Sequence, residues 1–177
     1  VRHLSSLVPS EVTTLSLCDL ATGRRRVVSD PPHAISRDER AVFDRLAAVA
    51  ASLTARYGYR PIETPLFEQA AVFERGIGSV TDVVEKELFR IAPRTEEAEA
   101  WALRPEPTAG IVRAYVQHGM QTWPQPVKLT TTGPMFRYDR PQAGRYRQFW
   151  QFDGEAIGDA GPGIDAEIVE LGARFFA

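Results

Sequence analysis

Thr132–Gly158, TGPMFRYDRPQAGRYRQFWQFDGEAIG, is the stretch on which the reading of the chain turns. A short apolar run ends at Phe136 and Arg137. A polar loop with Pro141, Gly144, Arg140, Arg145 and Arg147 follows, and a second run extends from Gln148 to Ile157. Two strand-like runs around a Pro/Gly loop describe an antiparallel hairpin with a long basic tip. Successive strand side chains point to opposite faces, so Phe149, Gln151, Asp153, Glu155 and Ile157 share one face, while Trp150, Phe152, Gly154 and Ala156 share the other. With Trp150 and Phe152 in the core, Gln151 and Glu155 stand roughly 13 Å apart at ~3.3 Å per residue. Such a floor has room for a small polar ligand and part of a nucleotide. Gly154 leaves no side chain on the packing face, which fits the close approach of another backbone.

A guanidinium fork pairs bidentately with phosphate or carboxylate, so Arg137 beside that floor suits an anionic ligand. The loop arginines outnumber its single acid, Asp139, and suit a longer polyanion. The plainer alternative is a solvated basic tip with no ligand at all.

Composition sets outer bounds. A chain of 177 residues fits one domain with a sizeable core, and its net charge of -2 argues against a bulk nucleic-acid coat. Any nucleic-acid contact is then local. The one cysteine, Cys18, excludes an internal disulfide framework and a zinc cluster built from cysteines, and fits a reduced, cytoplasmic setting. No run approaches the ~18 apolar residues of a membrane span, and the N-terminus lacks the apolar core of a signal peptide. A membrane partner is not expected. His3 and His33 stand apart from other ligand types, and Arg24-Arg25-Arg26 reads as a solvated turn.

Residues 1–35 read as an N-terminal extension in which Leu15–Leu20 and Arg26–Ser29 pair as a hairpin around Ala21-Thr22-Gly23. Ser36-Arg37-Asp38-Glu39 has the spacing of a capping box; Val42, Leu46, Val49 and Leu53 then recur at helical intervals until Gly58. Tyr59–Phe67 is extended and interrupted by Pro61 and Pro65, which places it at an edge or an interface, since proline cannot donate to a ladder. A short helix is expected over Ala70–Arg75. The Gly76-Ile77-Gly78 turn after it lacks the spacing of a phosphate-cradling loop. Glu87–Ile91 and Ala100–Arg104 read as strands joined by an acidic loop. A helix begins near Thr108, with Ile111, Val112, Tyr115 and Val116 on or near one face. Glu106 lies where a carboxylate gains from the exposed N–H groups of that helix; with Thr108 it is either a start signal or the holder of a ligand's ammonium and polar groups. Val127–Thr131 is a strand leading to the hairpin, and Ile164–Phe176 a last amphipathic helix with Ile168, Leu171 and Phe175 inward.

Blocks GYRPIETPLFE (58–68), VTDVVEKE (80–87), LRPEPTAG (103–110), GPMFR (133–137) and RPQAGRYRQFWQ (140–151) resemble the N-terminal catalytic half of bacterial histidyl-tRNA synthetase, a class II aminoacyl-tRNA synthetase. The resemblance runs from about Arg40 to Ala177. It implies an α+β fold, an antiparallel sheet flanked by helices, as an incomplete class II catalytic core over residues 36–177 with motifs 1 and 2 but no motif 3. It also implies a homodimer that activates histidine with ATP and transfers it to the acceptor stem of tRNA(His).

By position, Pro65 matches the motif 1 proline at the dimer interface. Arg137 matches the motif 2 arginine on the ATP α-phosphate, Asp139 the place of an adenine-contacting glutamate, and Arg145 a loop residue near ATP and the tRNA end. Glu106, Thr108, Gln151 and Glu155 match the residues that hold histidine. No side chain acts as nucleophile in the implied chemistry, and Mg2+ bridges phosphates through acids outside this sequence, so no metal ligand is named.

Pro107 stands where the family has glycine, Trp150 where it has histidine, and Asp139 is one methylene short. An Arg-Gly-Thr-type segment is not recognisable in residues 1–39. A truncated chain is therefore the expectation, inactive alone without a motif 3 arginine. Two other readings are a regulatory subunit of ATP phosphoribosyltransferase, which shares the fold, and a non-catalytic module that binds histidine or tRNA.

Overall fold

A computed structural model describes residues 15–16, 37–77, 87–93, 95, 98–138 and 146–177. Its centre is the hairpin. β6 (Val127–Phe136) and β7 (Gln148–Ile157) pair antiparallel over their whole length, from Val127 opposite Ile157 to Phe136 opposite Gln148. The strand expected over Val127–Thr131 and the run to Phe136 are thus one strand. β1 (Leu15–Ser16) adds to the free side of β7, and β2 (Arg60–Pro61) to that of β6, giving the order β1-β7-β6-β2. The sheet is antiparallel as expected except at one edge, where the two-residue β2 runs parallel to β6. Pro61 is tolerated there because an edge strand has one side without a ladder. Leu15 and Ser16 pair with Phe152 and Gln151 of β7; the hairpin expected between Leu15–Leu20 and Arg26–Ser29 involves residues outside the described ones.

A second sheet, β3-β5-β4, is antiparallel and is built from β3 (Phe67–Gln69), β4 (Arg90–Ile91) and β5 (Trp101–Leu103). Between β3 and β4 the chain forms α2 (Ala70–Ile77).

α1 (Arg37–Arg56) covers one face of the main sheet. Its N-terminal Ser36 is outside the described residues. Its end is a glycine-terminated cap: Tyr59 N–H bonds Thr54 O at 3.1 Å and Gly58 N–H bonds Ala55 O at 3.1 Å, with Gly58 at φ +81°. The inward stripe is Phe43, Leu46, Ala50 and Leu53, whereas Val49 is exposed. α4 (Pro162–Phe176) lies beside it, burying Ile164, Leu171 and Phe175 and leaving Ile168 exposed. Trp150 stacks on Phe43, and Phe152 on Phe175, with ring centroids 5.5 and 5.4 Å apart, so the core face expected for β7 is the one these helices cover. Gly154 on that face admits the Tyr59 ring, 3.4 Å from where a Cβ would sit; a side chain makes the approach, not a backbone. Lys128 bonds both Glu167 oxygens, at 2.7 and 2.6 Å, and ties β6 to α4.

The opposite face receives α3 (Thr108–Gln117), whose Ile111 and Ala114 pack with Val127, Leu129 and Ile157. Val112 and Val116, expected on the apolar face, are exposed. Phe149 at the other end of β7 is buried with Met135 and Tyr146. Apolar clusters thus close both ends of this face and leave a polar floor between them.

Candidate active site

The approach to α3 is anchored from below. Arg104 is buried, donating from Nε to Pro134 O at 3.0 Å and from Nη1 to Thr64 O at 2.6 Å and Thr64 Oγ1 at 3.1 Å. Burial draws its pKa down, an effect that nearby Glu63 opposes. Its backbone N–H bonds Leu66 O, and its carbonyl accepts from Phe136 N, each at 2.9 Å. One arginine therefore joins the segment after β2, the end of β6 and the start of α3. Gly133 makes this possible, since a Cβ there would lie 2.6 Å from Arg104 Nη2.

Held in this way, Glu106 meets the first turn of α3. Its Oε2 accepts from Thr108 N–H at 2.5 Å and its Oε1 from Ala109 N–H at 2.9 Å, so the start-signal role expected of Glu106 is realised. Pro107 is the N-cap residue, where the N–H it lacks has no intrahelical partner to miss.

Across from this loop, β7 presents Gln151 opposite Gly133, Asp153 opposite Thr131 and Glu155 opposite Leu129. Alternation puts the three on one face, as the sequence implied. Thr108 Oγ1 donates to Glu155 Oε1 at 2.5 Å, bringing together residues separated by most of α3 and β6. Gln151 is 7% exposed, and its Oε1 is buried with no hydrogen-bond partner among the described residues; the same holds for Asp153 Oδ2. Burial, then Glu155 and Glu106, push the Asp153 carboxyl up to about 7.

Arg137 extends β6 by one more residue on this face, its N–H bonding Arg147 O at 3.0 Å. Its Nε donates to Pro105 O at 3.0 Å, and its guanidinium carbon lies 5.1 Å from the centroid of the Phe149 ring. It therefore sits at the loop end of the floor, bonded to the residue before Glu106 and separated from Gln151 on this face by Phe149.

Of the residues singled out from sequence, Glu106, Thr108, Gln151, Glu155 and Arg137 line one floor. Asp139 and Arg145 lie outside the described residues, as does the 139–145 portion of the basic tip. Pro65 is exposed on the link between β2 and β3, apart from this floor. Trp150, the departure from the family pattern, faces α1, where Arg40 also covers its ring at 5.0 Å, so it does not enter the site. Two members were not singled out. Asp153 was signalled by its place two residues from both Gln151 and Glu155; Arg104 had no comparable sign, because its partners are distant carbonyl groups.

The arrangement can hold a cationic ammonium between carboxylates and an amide oxygen, and an anion at Arg137, a pairing suited to a zwitterionic amino acid beside a phosphate. Among the described residues no group of three His, Cys, Asp or Glu side chains is placed to hold a metal ion, and no helix is long and apolar enough to cross a membrane. The family model described as histidyl-tRNA synthetase matches residues 34–177. The histidine–tRNA ligase of Desulforudis audaxviator is 51% identical over 134 residues, 76% of this chain and 31% of that protein. The chain spans under a third of the length of such relatives. Apo histidyl-tRNA synthetase of S. aureus superimposes with a TM-score of 0.66 at 32% identity, over 84% of this chain and 33% of that one. A structure titled ATP phosphoribosyltransferase regulatory subunit/histidyl-tRNA synthetase, from Bacillus halodurans, shares the fold at 21% identity and TM-score 0.67, over 86% of this chain and 38% of that one. By family match and identity together, the chain belongs to the histidyl-tRNA synthetase family.

Proposed function

We propose that this chain supplies the histidine-binding and α-phosphate-binding part of a cytoplasmic histidine–tRNA ligase, with residues 36–177 as part of its catalytic domain. The observation that carries the reading is the shared floor on which Gln151, Glu155, Thr108 and Arg137 meet. In this reading Gln151, Glu155 and the Glu106–Thr108 turn receive the histidine ammonium and orient its carboxylate. Arg137 holds the α-phosphate as that carboxylate attacks phosphorus and pyrophosphate leaves. Catalysis then comes from positioning and from a preorganised positive charge where negative charge develops. Asp139 and Arg145 belong to the ATP and tRNA acceptor-end contacts. Magnesium enters this reading as a companion of the ATP phosphates, and no ligand for it is assigned among these residues.

A homodimer is part of the same proposal. Pro65, Leu66, Phe67, Ile91 and Trp101 are exposed around the small sheet, an apolar surface of the kind that association covers.

The test is histidine-dependent exchange of pyrophosphate into ATP by the full-length protein. Exchange that requires histidine and is lost in Arg137→Ala, with the fold intact by circular dichroism, supports the ligase. Unchanged exchange in that variant rejects the role given to Arg137. Absence of exchange together with activation of a catalytic phosphoribosyltransferase supports the regulatory reading instead.

A further inference from the structure

Three carboxylates converge between β7 and the start of α3, and they are not equivalent. Glu106 is engaged by two helix N–H groups, and Glu155 by the Thr108 hydroxyl. Asp153 feels the charge of both and shares a side-chain hydrogen bond with Glu155, while its Oδ2 is buried and without a partner among the described residues. Gln151, more than nine-tenths buried on the same strand face, also presents an unpartnered Oε1. Two buried acceptors without donors, next to two further acids, fit a ligand group that only donates and carries positive charge. An ammonium has three N–H donors and no acceptor.

We propose that capture of a ligand ammonium at this site is coupled to loss of a proton from Asp153. The empty site raises the protonated share of the Asp153 carboxyl; the arriving ammonium favours the carboxylate, which accepts an N–H, and the proton leaves to solvent. This rests on the amino-acid reading of the floor and deepens it. The groups around Asp153 are in keeping with it. Glu155 faces it from its own strand, Glu106 from the turn before α3, and uncharged Thr131 from β6. Buried Arg104 is committed to Thr64 and Pro134. On the opposite face Lys128 is paired with Glu167, and Tyr59, pushed up to about 12 chiefly by burial, stays protonated. The Asp153 carboxyl, pushed up to about 7, is partly protonated at neutral pH. An ammonium beside it favours the ionised form, so binding strengthens as pH rises through that value.

Calorimetric titration of histidine into the full-length protein at pH 7, in buffers of different ionisation enthalpy, counts the protons released. The histidine imidazole titrates in the same range, so Asp153→Asn is measured alongside and subtracted. The wild type is expected to release a measurably larger fraction of a proton per histidine than the variant, given a carboxyl that is partly protonated before binding. Equal release in both proteins overturns the proposal while leaving the amino-acid site standing. Failure of histidine to bind the wild type overturns both. Infrared difference spectra of the wild type give the same decision without a variant. Histidine is expected to remove a protonated-carboxyl C=O band, and an unchanged band contradicts the proposal.

Discussion

Asp153 shows how a single residue can make the empty site costly. A carboxyl is ordinarily ionised above pH 4, but burial and two neighbouring acids raise this one from 3.8 to about 7. The unfolded chain gives up that proton near pH 4 and the folded chain holds it until about 7. The stabilisation is therefore complete below about 3.8 and is lost as pH rises through about 7. Thermal melts of the ligand-free protein are expected to fall in midpoint between pH 5 and pH 8, and Asp153→Asn to flatten that slope. Parallel profiles for the two proteins would show that Asp153 is ionised throughout. Arg104 illustrates the opposite case, a buried charge whose donors are taken up by fixed carbonyls, so that its effect is to position Glu106 and Pro134 rather than to meet a ligand.

Among the elements, β7 was legible to its ends, Gln148 and Ile157, because alternation of large aromatic with polar residues is a strong period-two signal. The helices were legible in place and only in part in rotation. Leu46, Leu53, Ile111, Leu171 and Phe175 face inward as their spacing implied, whereas Val49, Val112, Val116 and Ile168 satisfy the same spacing and face outward, and Phe43, Ala50, Ala114 and Ile164 complete the buried faces. Alanine carries little hydrophobic weight in a pattern but allows close packing on a sheet, and the rotation is fixed by partners such as Trp150 and Leu129 that lie far along the chain. The parallel pairing of β2 and the attachment of β1 to β7 were likewise decided by distant strands. The consequence is measurable. Ile111→Ala is expected to cost ~2–5 kcal/mol in denaturant unfolding, as for a fully buried aliphatic side chain. Val116→Lys, at a position 67% exposed, is expected to stay within about 0.5 kcal/mol of wild type. Equal costs would contradict the observed rotation of α3.

For the molecule as a whole, the two sheets divide the work. The larger one carries the polar floor, and the smaller one displays Phe67, 53% exposed and in edge contact with Trp101 at 5.8 Å between ring centroids. Sequence made the floor readable because its residues lie on one hairpin and one helix start; of the apolar display it showed only the Tyr59–Phe67 edge, because Ile91 and Trp101 come from separate segments. If that display is a subunit contact, Phe67→Glu shifts the full-length protein from dimer to monomer in sedimentation velocity, and an unchanged dimer excludes it from the interface.

The most direct test of the site is a crystal structure of the full-length protein with a non-hydrolysable histidyl-adenylate analogue. The account expects the analogue's ammonium within hydrogen-bond distance of Gln151 Oε1, Asp153 and Glu155, and its phosphate surrogate against the Arg137 guanidinium. An analogue bound away from the β7 floor, or Arg137 turned from the phosphate position, would contradict it.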